Sequence, residues 1–278
     1  MNQLLNLIKA TRRNMIKLEI GKPSSIVWGR TRFGGHPDVP ADFVWPTFEC
    51  DTFYDEVVRP RPLAFLAQFD CGALAFQDTD GLLPRTGILS FFYELDSARW
   101  GYDPNDAGCA RVYWFDGSEP LAPADFPDEL EEEFRIPRLP VQVQSAASFA
   151  DWADFSMLEN NPEISEGYVE AYEALGGSGN CSKLLGWPDI VQDNMTLECE
   201  LVTRGYYLGD GSCRPKELAE KLACPSIDGW RLLFQLKSFT FDDFDLTFGD
   251  EGALYFYIPT QDLRAHRFDR VWTILQSE

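Results

Sequence analysis

The sequence contains little histidine, and this scarcity limits the chemistry that the chain can perform. Only His36 and His266 occur among 278 residues. Serine and cysteine nucleophiles usually need an imidazole base, and structural zinc sites draw their ligands from closely spaced cysteine and histidine. The glycine pattern of phosphate-binding loops and the Gly-x-Ser-x-Gly motif of hydrolases are also missing. The sequence therefore predicts no catalytic residue, no metal site and no cofactor.

Positive charge is also scarce in this chain. It has 24 Lys and Arg residues against 45 Asp and Glu residues, which gives a formal net charge of −21. Nucleic acids and anionic membranes attract proteins through Lys and Arg, so neither is an expected partner. An acidic surface attracts a basic protein instead. The alternative is that the charge only keeps the protein in solution.

The cysteines form no recognisable framework, and long apolar segments are missing. Seven cysteines occur, an odd number, without a Cys-x-x-Cys pair. This pattern is typical of buried thiols in a reducing compartment rather than of disulfides or zinc sites. No run approaches the roughly 18 apolar residues of a membrane-spanning helix, and residues 2–13 predict a short amphipathic helix rather than a signal peptide. We therefore expect a cytoplasmic protein.

Aromatic residues are abundant, at 14% of the chain, and they favour β structure. Apolar stretches predict strands, whereas capping, proline and glycine signals predict a few helices after residue 148. Strands and helices do not alternate regularly, so we expect an α+β fold that is mainly antiparallel, with a few peripheral helices. Residues 191–207 are also expected to be extended. The main predicted strands lie at residues 15–20, 63–69, 87–93, 110–115, 230–236, 253–258 and 270–275.

Two halves of the chain present the same features in the same order. Each has a Gly-x-Pro-Asp turn, a Gln inside an apolar strand, a Gly-x-Leu-x-Phe segment and an Arg-Val pair, at separations of 151 to 167 residues. We therefore predict one compact domain over 1–278, made of two tandem sheet units packed together at about 30–116 and 183–276. An acidic and helical connector at 117–182 joins them. Chance similarity between β-rich segments is the alternative. The matched positions are Gly35 to Asp38 with Gly186 to Asp189, Gln68 with Gln235, Gly87 to Phe91 with Gly252 to Phe256, and Arg111-Val112 with Arg270-Val271.

Gln68 and Gln235 are polar residues inside otherwise apolar strands. A buried amide without hydrogen-bond partners costs about 1–3 kcal/mol. In a structural interpretation, each amide bonds to the Gly-x-Pro-Asp turn of its own half. In a functional interpretation, the two amides line a shared cleft. His36 has Trp187 at the matched position, which argues against proton transfer by His36.

Four blocks of the sequence carry a family resemblance: Phe33 to Pro40 with Trp45-Pro46, Pro62 to Asp70, Leu83 to Phe92, and Lys183 to Gln192. Together they resemble the YwqG-like family of bacterial proteins of unknown function. The resemblance implies a cytoplasmic α+β domain, mainly sheet, with no established activity. Toxin and immunity genes near some members suggest a role in inter-bacterial competition.

Two main functional hypotheses remain open. In the first, the protein is a non-catalytic binding module, regulatory or immunity-like, that presents an acidic face to a basic protein. In the second, it is an enzyme or small-molecule binder with a cleft between the two repeats. A structural role without a ligand is a third possibility, and the sequence leaves the oligomeric state open. The ligand-binding residues expected to converge in the cleft are Trp45, Gln68, Asp70, Trp187, Asp189, Gln192 and Gln235.

Overall fold

A computed structural model of the chain describes residues 2–22, 30–159, 167–177, 180–209, 215–222, 224, 227–241 and 244–278. The strands are β1 (Arg13–Ile20), β2 (Arg32–Phe33), β3 (Asp38–Val39), β4 (Thr47–Cys50), β5 (Arg59–Pro62), β6 (Ala64–Asp70), β7 (Ile88–Tyr93), β8 (Ala110–Phe115), β9 (Ala122–Pro123), β10 (Leu139–Ser148), β11 (Lys183–Leu185), β12 (Trp230–Lys237), β13 (Phe239–Phe241), β14 (Phe244–Leu246), β15 (Ala253–Pro259) and β16 (Trp272–Gln276). The helices are α1 (Asn2–Ala10), α2 (Cys71–Leu74), α3 (Trp152–Glu159), α4 (Tyr168–Glu173), α5 (Thr196–Thr203), α6 (Pro215–Lys221) and α7 (Thr260–Arg264).

Ten of the strands form one antiparallel sheet in the order β16–β15–β12–β11–β1–β10–β2–β6–β7–β8. The central strands β1 and β10 pair from Arg13 opposite Ser148 to Ile20 opposite Val141. Four strands of the second half flank this pair on one side, and four strands of the first half flank it on the other. The pairs β3–β9, β4–β5 and β13–β14 lie outside the large sheet. The expected α+β fold, mainly antiparallel, is confirmed.

The two flanking groups share their strand order and one irregularity. β2–β6–β7–β8 in the first half corresponds to β11–β12–β15–β16 in the second. The pairing of β6 with β7 shifts register just before Gln68, and the pairing of β12 with β15 shifts just before Gln235. A bulge changes the direction in which the neighbouring side chain points. Because the bulge recurs at the same place in both halves, it places Gln68 and Gln235 in equivalent positions. These observations support a division into two tandem units. Their origin by repetition and their exact boundaries stay predictions.

One of the four matched sequence features does not occupy the same position in both halves. Val112 in β8 lies opposite Phe91, whereas Thr273 in β16 lies opposite Phe256, the counterpart of Phe91. The register therefore matches Val112 with Thr273 rather than with Val271. Arg270 ends a 3₁₀ turn ahead of β16. A two-residue string carries too little information to fix a strand register, so this match is displaced by two residues.

The sheet is nearly closed, and its two flanking groups face each other through aromatic rings. The ring centroid of Phe91 lies 4.7 Å from that of Phe234 and 5.2 Å from that of Phe256. Phe33 packs on Phe234 with 6.0 Å between centroids. All four side chains are 0% exposed. Burial of this apolar surface holds the halves together.

The loop of residues 95–109, which joins β7 to β8, covers the outer edge of β16. Leu275 N donates to Trp100 O over 3.0 Å, and Trp272 Nε1 donates to Gly101 O over 2.9 Å. Gly101 has a φ of 81°, and a Cβ there would lie 1.9 Å from Thr273 O. Only glycine allows this close approach. The edge strand of the second half is thus paired with a loop of the first.

Two stretches differ from the sequence-based expectation. The predicted connector at 117–182 contributes β10 to the centre of the sheet, although its residues 160–166, 178 and 179 lie outside the described ranges. Residues 191–207 were expected to be extended, and this was wrong because they contain α5. Asn194 Oδ1 accepts a hydrogen bond from Thr196 N over 3.0 Å, which satisfies a free donor at the start of that helix.

Four of the six described cysteines are buried, and all six are free thiols. In the parts of the chain that the structure describes, no helix combines the length and apolar character needed to cross a bilayer.

Candidate functional site

The Asp38 motif, which comprises Arg32, Asp38 and Gln68, fixes the Gly-x-Pro-Asp turn of the first half. Gln68 is 0% exposed. Its Oε1 accepts from Asp38 N over 2.9 Å, and its Nε2 donates to Asp38 Oδ2 over 2.7 Å and to Arg30 O over 2.9 Å. Arg32 Nη1 donates to Asp38 Oδ2 over 3.0 Å. Burial alone would raise the pKa of Asp38, but the hydrogen bonds from Arg32 and Gln68 outweigh burial and lower it.

The Asp189 motif, which comprises Lys183, Asp189 and Gln235, repeats this arrangement in the second half. Gln235 is also 0% exposed. Its Oε1 accepts from Asp189 N over 2.8 Å, and its Nε2 donates to Asp189 Oδ2 over 2.8 Å and to Cys181 O over 2.9 Å. Lys183 Nζ donates to Asp189 Oδ1 over 2.6 Å. Both amides thus bond to the turn of their own half, as the structural interpretation predicts.

The turns that carry these aspartates begin with the same backbone shape. Gly34 and Gly35 have φ values of 55° and 69°, and Leu185 and Gly186 have 60° and 80°. A Cβ on Gly34 would lie 2.3 Å from Pro137 O, so glycine is required there. Two successive left-handed residues turn the chain back onto the sheet, where the aspartate meets the amide.

Asp70 and Trp45 have structural partners in the first half. Asp70 Oδ1 accepts from Ala73 N over 3.1 Å and so caps α2. Trp45 Nε1 donates to Leu63 O over 2.9 Å, and the ring packs edge-on against Phe92 with 5.6 Å between centroids. Both residues support the local fold.

Trp187 and Gln192 have partners elsewhere in the chain. Trp187 is 3% exposed, donates from Nε1 to Thr11 O over 2.7 Å, and lies under the Arg13 guanidinium at 3.2 Å from the ring centroid. Gln192 is exposed and donates from Nε2 to Ser277 O over 2.7 Å.

The seven residues expected to line one cleft are therefore distributed over separate places. The strands that carry Arg32 and Lys183, β2 and β11, are separated in the sheet by β10 and β1. The space where the halves face each other is filled by the phenylalanine rings. The halves join through apolar faces, which leaves their polar turns apart, and a ligand-binding role for these residues stays a prediction. The residues concerned are Trp45, Gln68, Asp70, Trp187, Asp189, Gln192 and Gln235.

A group of large apolar side chains stands exposed in the loop between β4 and β5. Phe53 and Tyr54 are 88% and 90% exposed, and Val57 and Val58 are 62% and 65% exposed. We name these four residues the hairpin tip. The rings of Phe53 and Tyr54 pack edge to face with 5.1 Å between centroids. Sequence reasoning missed this group because a Phe-Tyr pair beside two valines is equally compatible with burial.

Arg61 anchors the hairpin tip from below. Arg61 is 4% exposed. Its Nη2 donates to Asp55 Oδ2 over 2.8 Å, and its Nη1 donates to Asp96 Oδ2 over 3.1 Å. Its Nε donates to Cys50 O over 3.2 Å. The hydrogen bond from Arg61 lowers the pKa of Asp55. Thr52 N also donates to Asp55 O over 2.9 Å. The apolar side chains are thus presented by a loop whose backbone is held in place.

A cleft of 430 Å³ lies between the loop 95–109 of the first half and residues of the second half; we name it the inter-half cleft. Three aromatic residues line it, Trp100, Tyr102 and Tyr207. Trp100 is 46% exposed and Tyr207 is 50% exposed. Gln192 is the one residue of the sequence-based set that lines this cleft.

Among the residues that the structure describes, the charged side chains lining the inter-half cleft are Arg99, Asp103 and Asp106. Arg99 Nη2 donates to Asp51 O over 3.1 Å and forms an ion pair with the Asp51 carboxylate at the base of the hairpin loop. Asp106 Oδ2 accepts from Gly101 N over 3.0 Å, and burial raises the pKa of Asp106. Arg99 therefore connects the cleft to the hairpin.

Two carboxyl groups outside the lining of the cleft, Glu198 and Asp154, have raised pKa values. Burial, reinforced by Asp193, raises the pKa of Glu198 to about 8, and burial followed by the charge of Glu198 raises the pKa of Tyr102. Asp154 is 0% exposed and accepts a hydrogen bond from Asn194. Burial, reinforced by Asp151, raises the pKa of Asp154 to about 7. Asp154 does not line the cleft, so we expect it to act on stability rather than on a ligand.

Each histidine packs against an aromatic ring. His36 Nδ1 lies 2.8 Å from Ala124 O, and its ring packs on Phe126 with 4.6 Å between centroids. His266 packs against Trp114 with 5.3 Å between centroids. No group of three or more His, Cys, Asp or Glu side chains among those residues is arranged to hold a metal ion.

Comparison with known proteins gives a family and no activity. A family model described as "Domain of unknown function (DUF1963)" matches residues 31–277. No curated protein matches this chain in sequence.

Proposed function

Because the chain belongs to the DUF1963 family, whose description assigns no activity, we propose a function from the geometry. The protein is a non-catalytic binding module that docks a basic protein partner on its hairpin tip. The observation that carries this proposal is the 62–90% exposure of four apolar side chains on one anchored loop. Grouped apolar side chains exposed in this way mark interaction sites.

The hairpin tip has the composition and rigidity of a binding anchor. Aromatic residues that enter a partner's pocket supply most of the affinity of many interfaces. Arg61 already fixes the loop through Asp55, Asp96 and Cys50. Little conformational entropy is therefore lost when the tip binds.

The charge of the protein supports a basic partner. The net charge is −21, and Glu49 and Glu56 are exposed beside the tip. Opposite charge around an apolar centre accelerates encounter and rejects acidic competitors. The resemblance to the YwqG-like family extends this proposal to a cytoplasmic, regulatory or immunity-like role in bacteria.

The test compares three immobilised proteins against basic proteins of the native host that have been enriched by cation exchange. They are the wild type, the tip variant Phe53→Ser/Tyr54→Ser, and the control variant Phe76→Ser. Phe76 is 90% exposed but follows α2, at the opposite end of β6 from the hairpin and about 20 Å away. Any retained protein is then purified and its dissociation constant is measured for all three.

We expect a basic protein that binds the wild type and the Phe76 variant equally. It should bind the tip variant about 30-fold more weakly, which is the effect of losing a central anchor. Binding should also weaken as salt is raised. Equal retention by all three proteins, binding that does not weaken as salt is raised, or no retention at all would overturn the proposal.

The second candidate function is a small-molecule binder or enzyme that uses a cleft between the halves. The inter-half cleft, with its 430 Å³ volume and residues from both halves, favours the binding form of this candidate. Its ligand chemistry is independent of the hairpin tip.

A further inference from the structure

The inter-half cleft has a chemistry of its own, and we propose that it binds a small organic cation with an alkylammonium or guanidinium head group. This inference goes beyond the proposed docking function, because it concerns a different surface and a different class of ligand. The 430 Å³ volume lies within the usual range of small-molecule sites, about 300–1,000 Å³.

The walls of the cleft suit a cation with apolar substituents. Trp100, Tyr102 and Tyr207 all line it, and Trp100 and Tyr207 are about half exposed rather than packed into the core. The faces of indole and phenol rings carry negative charge density and attract cations, most strongly where water is partly excluded. Aromatic rings also cover the alkyl parts of such a ligand.

The charges of the cleft favour the same ligand. Asp103 and Asp106 line it, and Arg99, the one cation among the described lining residues, is paired with Asp51 outside the lining. Glu198 lies close enough to Tyr102 to raise its pKa. An anionic ligand would meet two carboxylates, whereas a cation gains from both.

A neighbouring cleft provides an internal contrast. It measures 380 Å³ and shares the loop 95–109, but its charged lining residues are Arg111, Arg270 and one carboxylate, Asp269. Two guanidinium groups outnumber the single carboxylate there, so we expect a cation to bind more weakly in this cleft than in the inter-half cleft. Lysine and arginine are scarce in this chain, yet guanidinium groups outnumber carboxylates in one cleft and carboxylates outnumber them in the other. The acidic lining of the inter-half cleft is therefore a local feature and not only a consequence of the net charge.

The test uses isothermal titration calorimetry on the full chain with choline and with its neutral isostere 3,3-dimethyl-1-butanol. The two differ in charge but share their shape, so they isolate the cationic contribution. A terminally blocked peptide containing one arginine distinguishes a protein side chain from a free cation as the source of the head group. Each probe is titrated into the wild type, Trp100→Ala, Tyr207→Ala, Phe76→Ser and Phe53→Ser/Tyr54→Ser.

We expect choline to bind at least about tenfold more tightly than its neutral isostere. Loss of either Trp100 or Tyr207 should weaken choline binding by about five- to tenfold. The Phe76 and hairpin-tip variants should bind choline as the wild type does, which separates this result from the fate of the docking proposal. Tighter binding of the peptide than of choline would assign the cleft to a protein side chain and overturn the small-molecule form of the proposal. Equal binding of choline and isostere, no saturable binding of choline, or unchanged binding by both cleft variants would also overturn it.

Discussion

In the Asp38 motif and the Asp189 motif, the glutamine makes equivalent hydrogen bonds, but the cation that pairs with the aspartate differs. In the first, Arg32 bonds Asp38 and also the backbone oxygens of Arg30 and His36. In the second, Lys183 has one described partner, the Asp189 carboxylate. The side chains of the arginine pair are 4% and 16% exposed, and those of the lysine pair are 2% and 7% exposed.

This difference teaches which part of the motif the fold requires. The constant part is a carboxylate that accepts from an amide and a cation, which locks the turn to the sheet. The identity of the cation varies with its surroundings, because guanidinium can bond several acceptors at once whereas ammonium is a compact point charge. The more deeply buried pair is expected to depend more strongly on both of its members.

The outer faces of the two halves differ even more. Phe92 in the first half corresponds in register to Tyr257 in the second. Phe92 packs among Phe43 and Trp45, whereas Tyr257 is close enough to Asp154 for that charge to contribute to the raised pKa of the tyrosine, after burial. One face is covered by aromatic loop residues and the other includes buried acid.

The largest expected effect is the loss of the Asp189 carboxylate. Asp189→Ala leaves Lys183 as a buried charge without its partner, and such losses cost about 3–5 kcal/mol of the free energy of unfolding. Asp38→Ala should cost less, roughly 2 kcal/mol, because water reaches that pair more easily. Urea denaturation of both variants measures the difference. Equal losses, or a larger loss for Asp38→Ala, would contradict the ranking by burial.

The next largest effect is the pH dependence of stability that the buried Asp154 gives to the outer face of the second half. The pKa of Asp154 is about 7 in the folded protein against a usual value of 3.8. A raised carboxyl pKa stabilises the fold below pH 3.8, and this contribution is lost as pH rises from about 4 to about 7. Asp154→Asn cannot ionise and keeps an oxygen that can accept from Asn194. We expect the variant to exceed the wild type by roughly 2–4 kcal/mol at pH 8 and by much less at pH 4.5.

Unfolding measured at both pH values tests this expectation. The causes of the shift are burial first, then the negative charge of Asp151, opposed by Arg13, Asn194 and Lys183. Glu198 titrates in both proteins and therefore cancels in the difference between them. A difference between variant and wild type that does not change with pH would exclude Asp154 as the titrating group.

The smallest expected effect tests what the motifs share. Gln68→Leu and Gln235→Leu each remove an amide that bonds one aspartate and two backbone groups. Each should cost about 1–3 kcal/mol, and the two costs should agree within about 1 kcal/mol. The exposed control Gln261→Leu should change stability by less than about 0.5 kcal/mol. Strongly unequal costs for the two glutamines would show that matched contacts do not carry matched energies.

The parts of the fold that the sequence predicts are those with a local chemical signature. A Gln within an apolar strand and a Gly-x-Pro-Asp turn must find each other or remain unsatisfied, so their pairing follows from chemistry alone. The strand β10 was missed, because it lies in a segment whose acidic and proline-rich start favours a connector. The Arg111 match failed because register depends on a partner strand.

The candidate surfaces could not be predicted in the same way. Whether Phe53 and Tyr54 are buried or exposed depends on how the hairpin sits on the molecule, which no local pattern states. The inter-half cleft forms because the loop 95–109 meets residues far along the chain, such as Tyr207. Gln192 belongs to the predicted set and lines the inter-half cleft, whereas the other six residues of that set do not line it.

The hydrogen bond from Leu275 N to Trp100 O has a consequence for how the protein can be divided or assembled. A fragment that began after residue 182 would lack the loop that covers β16 and would present an open row of amide groups to other chains. In the intact molecule the loop 95–109 covers this edge of β16, which hinders the addition of a further strand there. Association at this end of the intact sheet is therefore expected to rely on side chains.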